Sequence, residues 1–172
     1  MWSSSLILIG FIIHGMSFDT HTILPLKDLP SKQDCLVDLQ SLLGWAPSVS
    51  VLYLDLDNFK AVNDKYRHEG GDICIGEAAE IFGKVIQHKG RLYRLHATGD
   101  EFVILLPNFD QSEARATAER IRMAIEQQNP GKDIPVTTSI GGIVATSEVN
   151  GQQALKLADD AMYVANWDAG DA

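Results

Sequence analysis

Thr98-Gly99-Asp100-Glu101-Phe102 places two consecutive carboxylates beside a glycine and leads into the apolar run Val103-Ile104-Leu105-Leu106. A second pair of acids lies upstream, in Leu54-Asp55-Leu56-Asp57. An apolar strand that ends in carboxylates is a rigid mount for a hard divalent cation. Two such mounts facing each other would form an oxygen-lined pocket of the kind that takes Mg²⁺ carrying a nucleoside triphosphate. Asp55 sits between apolar neighbours, where an unpaired charge is costly, so it needs a metal or another cation. Asp55 and Asp57 are expected on opposite faces, with only one of them in the site. Asp57, or Asn58 beside it, is expected to cap the next helix. Asp100 and Glu101 are adjacent, so one faces the site and the other its flank or the substrate. A lone Gly-Asp pair is usually a plain turn; the acidic strand upstream is what favours a functional reading.

The elements that must position these acids follow from periodicity. Val51 to Leu56 reads as a buried strand, and Asn58 to Tyr66 as a short helix broken by Gly70-Gly71. A longer helix from Asp72 carries Ile75, Ala78 or Ala79, Phe82 and Val85 or Ile86 on one face and ends at Gly90. Arg91 to His96 is expected to pair with Glu101 to Leu106 across a Thr98-Gly99 turn. Asp110 with Glu113 reads as a helix start, followed by Ala114, Ala118, Ile121 and Ile125 facing inward. After Pro130-Gly131 comes a strand from Val136 to Ile140, a return at Gly141-Gly142 through Ile143 to Ala145, and a turn at Asn150-Gly151. A last helix aligns Leu155, Ala158, Met162 and Ala165. This order predicts an α+β domain whose sheet contains antiparallel pairs, with helices on one or both faces.

Composition narrows the class. The 172 residues favour one domain, and 45% hydrophobic with 22% charged residues suits a globular chain. A net charge of −9 with no basic stripe excludes wholesale nucleic-acid binding, although a metal could still screen the acids toward a phosphate-bearing ligand. Cys35 and Cys74 lack metal-type spacing and are expected to be reduced thiols in a cytoplasmic protein. The apolar run Leu6 to Ile13 is shorter than the roughly 20 residues that span a bilayer and has no basic flank. Residues 1–18 are therefore read as a helix or strand that packs on the domain or on a second copy. Membrane contact through residues 6–16 is the lesser alternative.

Five blocks in register carry a resemblance. They are Asp55-Leu-Asp-Asn-Phe-Lys60-Ala-Val-Asn63-Asp, His68-Glu-Gly-Gly-Asp72, Thr98-Gly-Asp-Glu-Phe102, Val136-Thr-Thr-Ser-Ile-Gly141 and Ala158-Asp-Asp-Ala-Met-Tyr163. Together they resemble the signatures of GGDEF domains, the diguanylate cyclases of bacterial signalling, over roughly residues 19 to 170, within a domain read as 19–172. The resemblance implies a ferredoxin-like palm of the nucleotidyl cyclase type, a mainly antiparallel sheet flanked by helices. It implies a homodimer in which two GTP molecules condense to cyclic di-GMP and pyrophosphate. It implies that Asp55, the Leu56 carbonyl and Asp100 hold Mg²⁺ (or Mn²⁺), that Lys60 stabilises charge at phosphorus, and that Asn63 and Asp72 read guanine. Phe59 and His68 fall on the substrate side of the same blocks; His68 is read either near ribose or base, or as a structural residue of the loop. Glu101 would assist deprotonation of the attacking hydroxyl, or serve as a structural acid of the hairpin.

Departures from the pattern set the alternative. Thr98 replaces the first glycine of the signature, where any positive φ would be strained. Asn166 and Gly170 stand where the family carries a lysine and an arginine toward phosphate, and Asp168 lies between them. The early block survives only as Asp19-Thr-His-Thr22-Ile-Leu24-Pro25-Leu-Lys27, and the inhibitory Arg-x-x-Asp positions read Lys89 and Leu92. These losses suggest a weak cyclase, or else a domain that binds GTP without turnover and acts as a regulatory module. A cyclase of altered base choice is argued against by Asp72.

Overall fold

The computed structural model describes residues 26–129 and 131–170, with side chains as far as residue 164. The apolar run at 6–13, the 19–25 stretch of the early block, and the surroundings of Ala165, Asn166, Asp168 and Gly170 lie outside what it describes. Among the described residues no helix is long and apolar enough to cross a membrane.

Four strands form one sheet: β1 (Val49–Asp57), β2 (Arg91–Arg94), β3 (Glu101–Pro107) and β4 (Thr137–Ala145), in the order β2-β3-β1-β4. Every pairing is antiparallel. The helices are α1 (Lys32–Leu43), α2 (Phe59–Ile86), α3 (Gln111–Glu126) and α4 (Gly151–Gly170). From β1 to β4 the chain runs β-α-β-β-α-β, the ferredoxin-like arrangement.

Helices cover both faces, which explains why β1 is an almost unbroken apolar run. Leu52, Leu54 and Leu56 point into a core with Phe82 and Ile75 of α2 and Ile121 and Ile125 of α3. Val51 and Tyr53 point the other way, into a core with Leu39 and Leu42 of α1 and Ala154, Ala158 and Met162 of α4. Phe82 meets Phe102 edge-on, with centroids 5.3 Å apart, and pins α2 to β3.

Helix α1 has no counterpart among the expected elements. Its signal is Ser31 with Asp34, a reciprocal capping box. The same device starts α3, as expected, where Asp110 and Glu113 bond each other's backbone. Such a cap is worth about 1 kcal/mol.

Two expected breaks are absent. Gly141 and Gly142 lie inside a continuous β4. A Cβ on Gly141 would come within 1.9 Å of the Met162 nitrogen, so this glycine lets α4 lie against the strand. The break in α2 falls at Arg67, with φ 64° and ψ −177°, ahead of Gly70-Gly71. A Cβ on Gly70 would meet the Tyr66 Cβ at 2.3 Å, and one on Gly71 would meet Asn63 Oδ1 at 2.0 Å. The glycines let the two halves of α2 approach across the bend. The hairpin expectation holds: Arg91 to Arg94 pair with Leu105 to Phe102. Its connection is longer than a tight turn, spanning residues 95–100, and neither Thr98 nor Gly99 has a positive φ. The threonine is therefore unstrained.

Candidate active site

Antiparallel register brings the two acidic segments together. Asp55 pairs across with Glu101 on β3 and with Ser139 on β4, and Asp100 immediately precedes β3. Burial pushes the Asp55 carboxyl up to about 7, and the nearby charges of Asp100, Glu101 and Asp57 add to it. Asp100 is also raised, chiefly by burial, against its own backbone N–H and the Arg94 guanidinium, which act the other way. Both groups are half-buried acids whose charged form is disfavoured by burial and by neighbouring carboxylates.

Asp57 corrects two expectations. Residues two apart on a strand share a face, and Asp57 lies on the face of Asp55. It caps no helix: its carboxylate accepts from the Thr137 hydroxyl at 2.5 Å and the Ser139 hydroxyl at 2.8 Å. Asn58 occupies the N-cap position of α2 with φ 65° and makes no side-chain cap bond; it donates to the Pro135 carbonyl at 3.1 Å.

The bend in α2 places the remaining candidates. Asn63 lies against the backbone of Gly71, next to Asp72. Asp72 is exposed. Phe59 is 8% exposed and belongs to the core, with its ring tip beside Gly71. Lys60 is exposed in the first turn of α2 and makes no ion pair among the described residues. His68 follows Arg67 and is exposed. Leu56 is buried, so only its backbone carbonyl could serve a ligand.

Arg94 bears on both halves of this constellation. Its Nε and Nη2 both donate to the Gly99 carbonyl at 3.0 Å. Burial lowers its pKa, and the charges of Asp72 and Asp100 oppose that shift. The Arg94 guanidinium is thus near enough to both Asp72 and Asp100 for their charges to act on it.

A family model described as "Diguanylate cyclase, GGDEF domain" matches residues 26–170. The chain belongs to the GGDEF family. The "Probable diguanylate cyclase DgcT" of Escherichia coli is 40% identical over 133 residues, 74% of this chain and 29% of that protein. Diguanylate cyclase A of Treponema denticola is 36% identical over 120 residues, 67% of this chain and 32% of that protein. The chain thus spans about a third or less of these relatives' lengths. The crystal structure of the diguanylate cyclase SiaD in complex with its activator SiaC, from Pseudomonas aeruginosa, superimposes with a TM-score of 0.75 at 27% identity. It covers 84% of this chain and 58% of that one.

In this GGDEF domain Asp55 and Asp100 are near enough for the charge of one to act on the other. Among its described residues no three carboxylate, imidazole or thiolate groups converge to hold an ion alone. Two carboxylates and a carbonyl nevertheless fit Mg²⁺, which keeps waters and takes further ligands from substrate phosphates. Cys35 and Cys74 are both free, as expected. Sequence reasoning missed Arg94, Tyr53 and His96. Tyr53 Oη donates to Glu101 Oε1 at 3.0 Å, and His96 Nε2 lies 3.4 Å from Glu101 Oε2. The available signal was parity: Tyr53 stands two residues before Asp55 and therefore on its face.

Proposed function

We propose that this GGDEF domain is a diguanylate cyclase that condenses two GTP molecules into cyclic di-GMP and pyrophosphate as a homodimer. The observation that supports the reading is the half-buried Asp55 within reach of the Asp100 charge, with Arg94 under the charges of both Asp100 and Asp72. Asp72 can accept from both N1–H and the exocyclic amine of guanine, and adenine offers no matching pair of donors. A site built for those bonds rejects the wrong base by leaving its own groups unpaired. Glu101, beside Asp55, takes the proton of the 3′-hydroxyl. The 3′-oxygen then bonds to the α-phosphorus of the partner's GTP, the bond from that phosphorus to its β-phosphate oxygen breaks, and pyrophosphate leaves; the reciprocal attack closes the ring and releases a second pyrophosphate. Lys60 offsets charge at phosphorus. Mg²⁺ (or Mn²⁺), held by Asp55, Asp100 and the Leu56 carbonyl, would supply neutralisation of the triphosphate.

A second reading is a domain that binds GTP without turnover, favoured by Asn166 and Gly170 where the family resemblance implies a lysine and an arginine. Incubation of the purified chain with GTP and Mg²⁺ or Mn²⁺, with products resolved by chromatography, separates the two. Cyclic di-GMP that disappears in Asp100→Ala is the expected result. GTP binding without product would favour the regulatory domain, and equal consumption of ATP would overturn the guanine assignment.

A further inference from the structure

Asp100 ends the connection between β2 and β3, so its aim depends on what holds that connection. Two backbone bonds fold the segment: Leu95 N–H donates to the Glu101 carbonyl at 3.0 Å, and Gly99 N–H to the His96 carbonyl at 3.1 Å. Arg94 adds a side-chain tie, with Nε and Nη2 both donating to the Gly99 carbonyl at 3.0 Å. That carbonyl belongs to the peptide group whose N–H is Asp100's own, and this N–H favours the charged form of the Asp100 carboxyl. A peptide group is planar, so an oxygen fixed in direction fixes the N–H on its other side. The guanidinium holds one end of this peptide, and the Asp100 carboxylate meets the other.

We infer that Arg94 is a positioning residue: through the Gly99 carbonyl it fixes the peptide between Gly99 and Asp100 and thereby aims the Asp100 carboxylate at the cation. The inference rests on the proposed cyclase reading, which makes Asp100 a ligand of that cation. Arg94 is suited to the task because its own backbone is held on both sides. It pairs with Phe102 across the β2–β3 ladder, and its N–H donates to the Pro30 carbonyl at 3.0 Å. Its donors lie in one rigid plane, so two of them on one oxygen set a direction that a single rotatable ammonium does not.

Arg94→Lys keeps the positive charge near Asp72 and Asp100 and removes the planar fork, so it isolates geometry from electrostatics. In the nucleotide-free chain, hydrogen exchange of the Asp100 amide, followed by NMR, should quicken about tenfold, while amides within the β2–β3 pairing keep their protection. Mn²⁺ titrated into the same chain, followed by electron paramagnetic resonance, should bind about three- to tenfold more weakly. With GTP present, the Mn²⁺ concentration for half-maximal rate should rise by a similar factor. The kcat at saturating Mn²⁺ should stay within about threefold, a rescue by metal that general loosening of the fold would not allow. Thermal melts check folding; should Arg94→Lys not fold, Arg94→Gln, which also lacks the fork, is read by the same exchange measurement. Unchanged Asp100 exchange or an unchanged Mn²⁺ response overturns the inference, while cyclic di-GMP from the wild type would leave the cyclase reading standing. Faster exchange and weaker Mn²⁺ binding in Arg94→Lys, with no product from the wild type, support the role of Arg94 and remove the cyclase reading. A wild type that neither binds Mn²⁺ nor makes product overturns both.

Discussion

Burial and three neighbouring acids push Asp55 up to about 7, so the folded chain holds a proton there that an unfolded chain, near the ordinary 3.8, has released. The sign follows from linkage: stability from this group is fully present below about pH 4 and is lost as pH rises through about 7. Asp100 acts in the same direction. With divalent ions chelated, the wild type should melt at a lower temperature at pH 8 than at pH 5 on this account. Asp55→Asn should flatten that dependence and stabilise the apo domain at pH 8 by about 1–2 kcal/mol, a figure discounted for partial exposure. It should also remove cyclase activity. A melt of Asp55→Asn with the same pH dependence as the wild type would show that the carboxyl is not the strained group. Asp55 was legible as chemistry because a charge inside an apolar run is anomalous. Its partners were not, since Arg94 and Tyr53 look like ordinary strand residues until register sets them beside Gly99 and Glu101.

Among the elements, small residues decide how closely backbones pack. Gly141→Ala would drive a Cβ into the backbone of α4 at Met162, with contacts of 1.9 Å and 2.4 Å that no side-chain rotation relieves. A loss of about 3 kcal/mol is expected, read by urea denaturation. Gly71→Ala meets Asn63 Oδ1, a side-chain atom that can swing away. Its expected cost is therefore smaller in stability and, if Asn63 has the proposed guanine-reading role, larger in KM for GTP. Steady-state kinetics beside the denaturation curves separate the two. The same glycines explain why the pattern reading placed a return at Gly141-Gly142 and a break at Gly70-Gly71. Glycine signals either a turn or a close approach, and local sequence does not say which. The break fell instead at Arg67, a residue that rarely adopts positive φ.

For the molecule as a whole, the proposed reaction needs two GTP-loaded domains face to face, and each carries a net charge of −9. Like-charged partners associate weakly, so specific activity should rise with protein concentration and level off as the dimer fills. Product formation measured over a concentration series, beside sedimentation, tests this; activity per molecule that is independent of concentration would contradict an obligatory dimer.

From residue order alone came the α+β class, the antiparallel hairpin, the α3 capping box and the family, because apolar periodicity, capping pairs and motif order are properties of neighbours along a chain. Assembly decided the rest. Which groups hold each acid, where α2 bends, and why β4 needs glycine all depend on atoms far apart in sequence. Asp57 shows the difference: its local surroundings suggest a helix cap, whereas hydroxyls more than 75 residues away hold it as a clamp between strands.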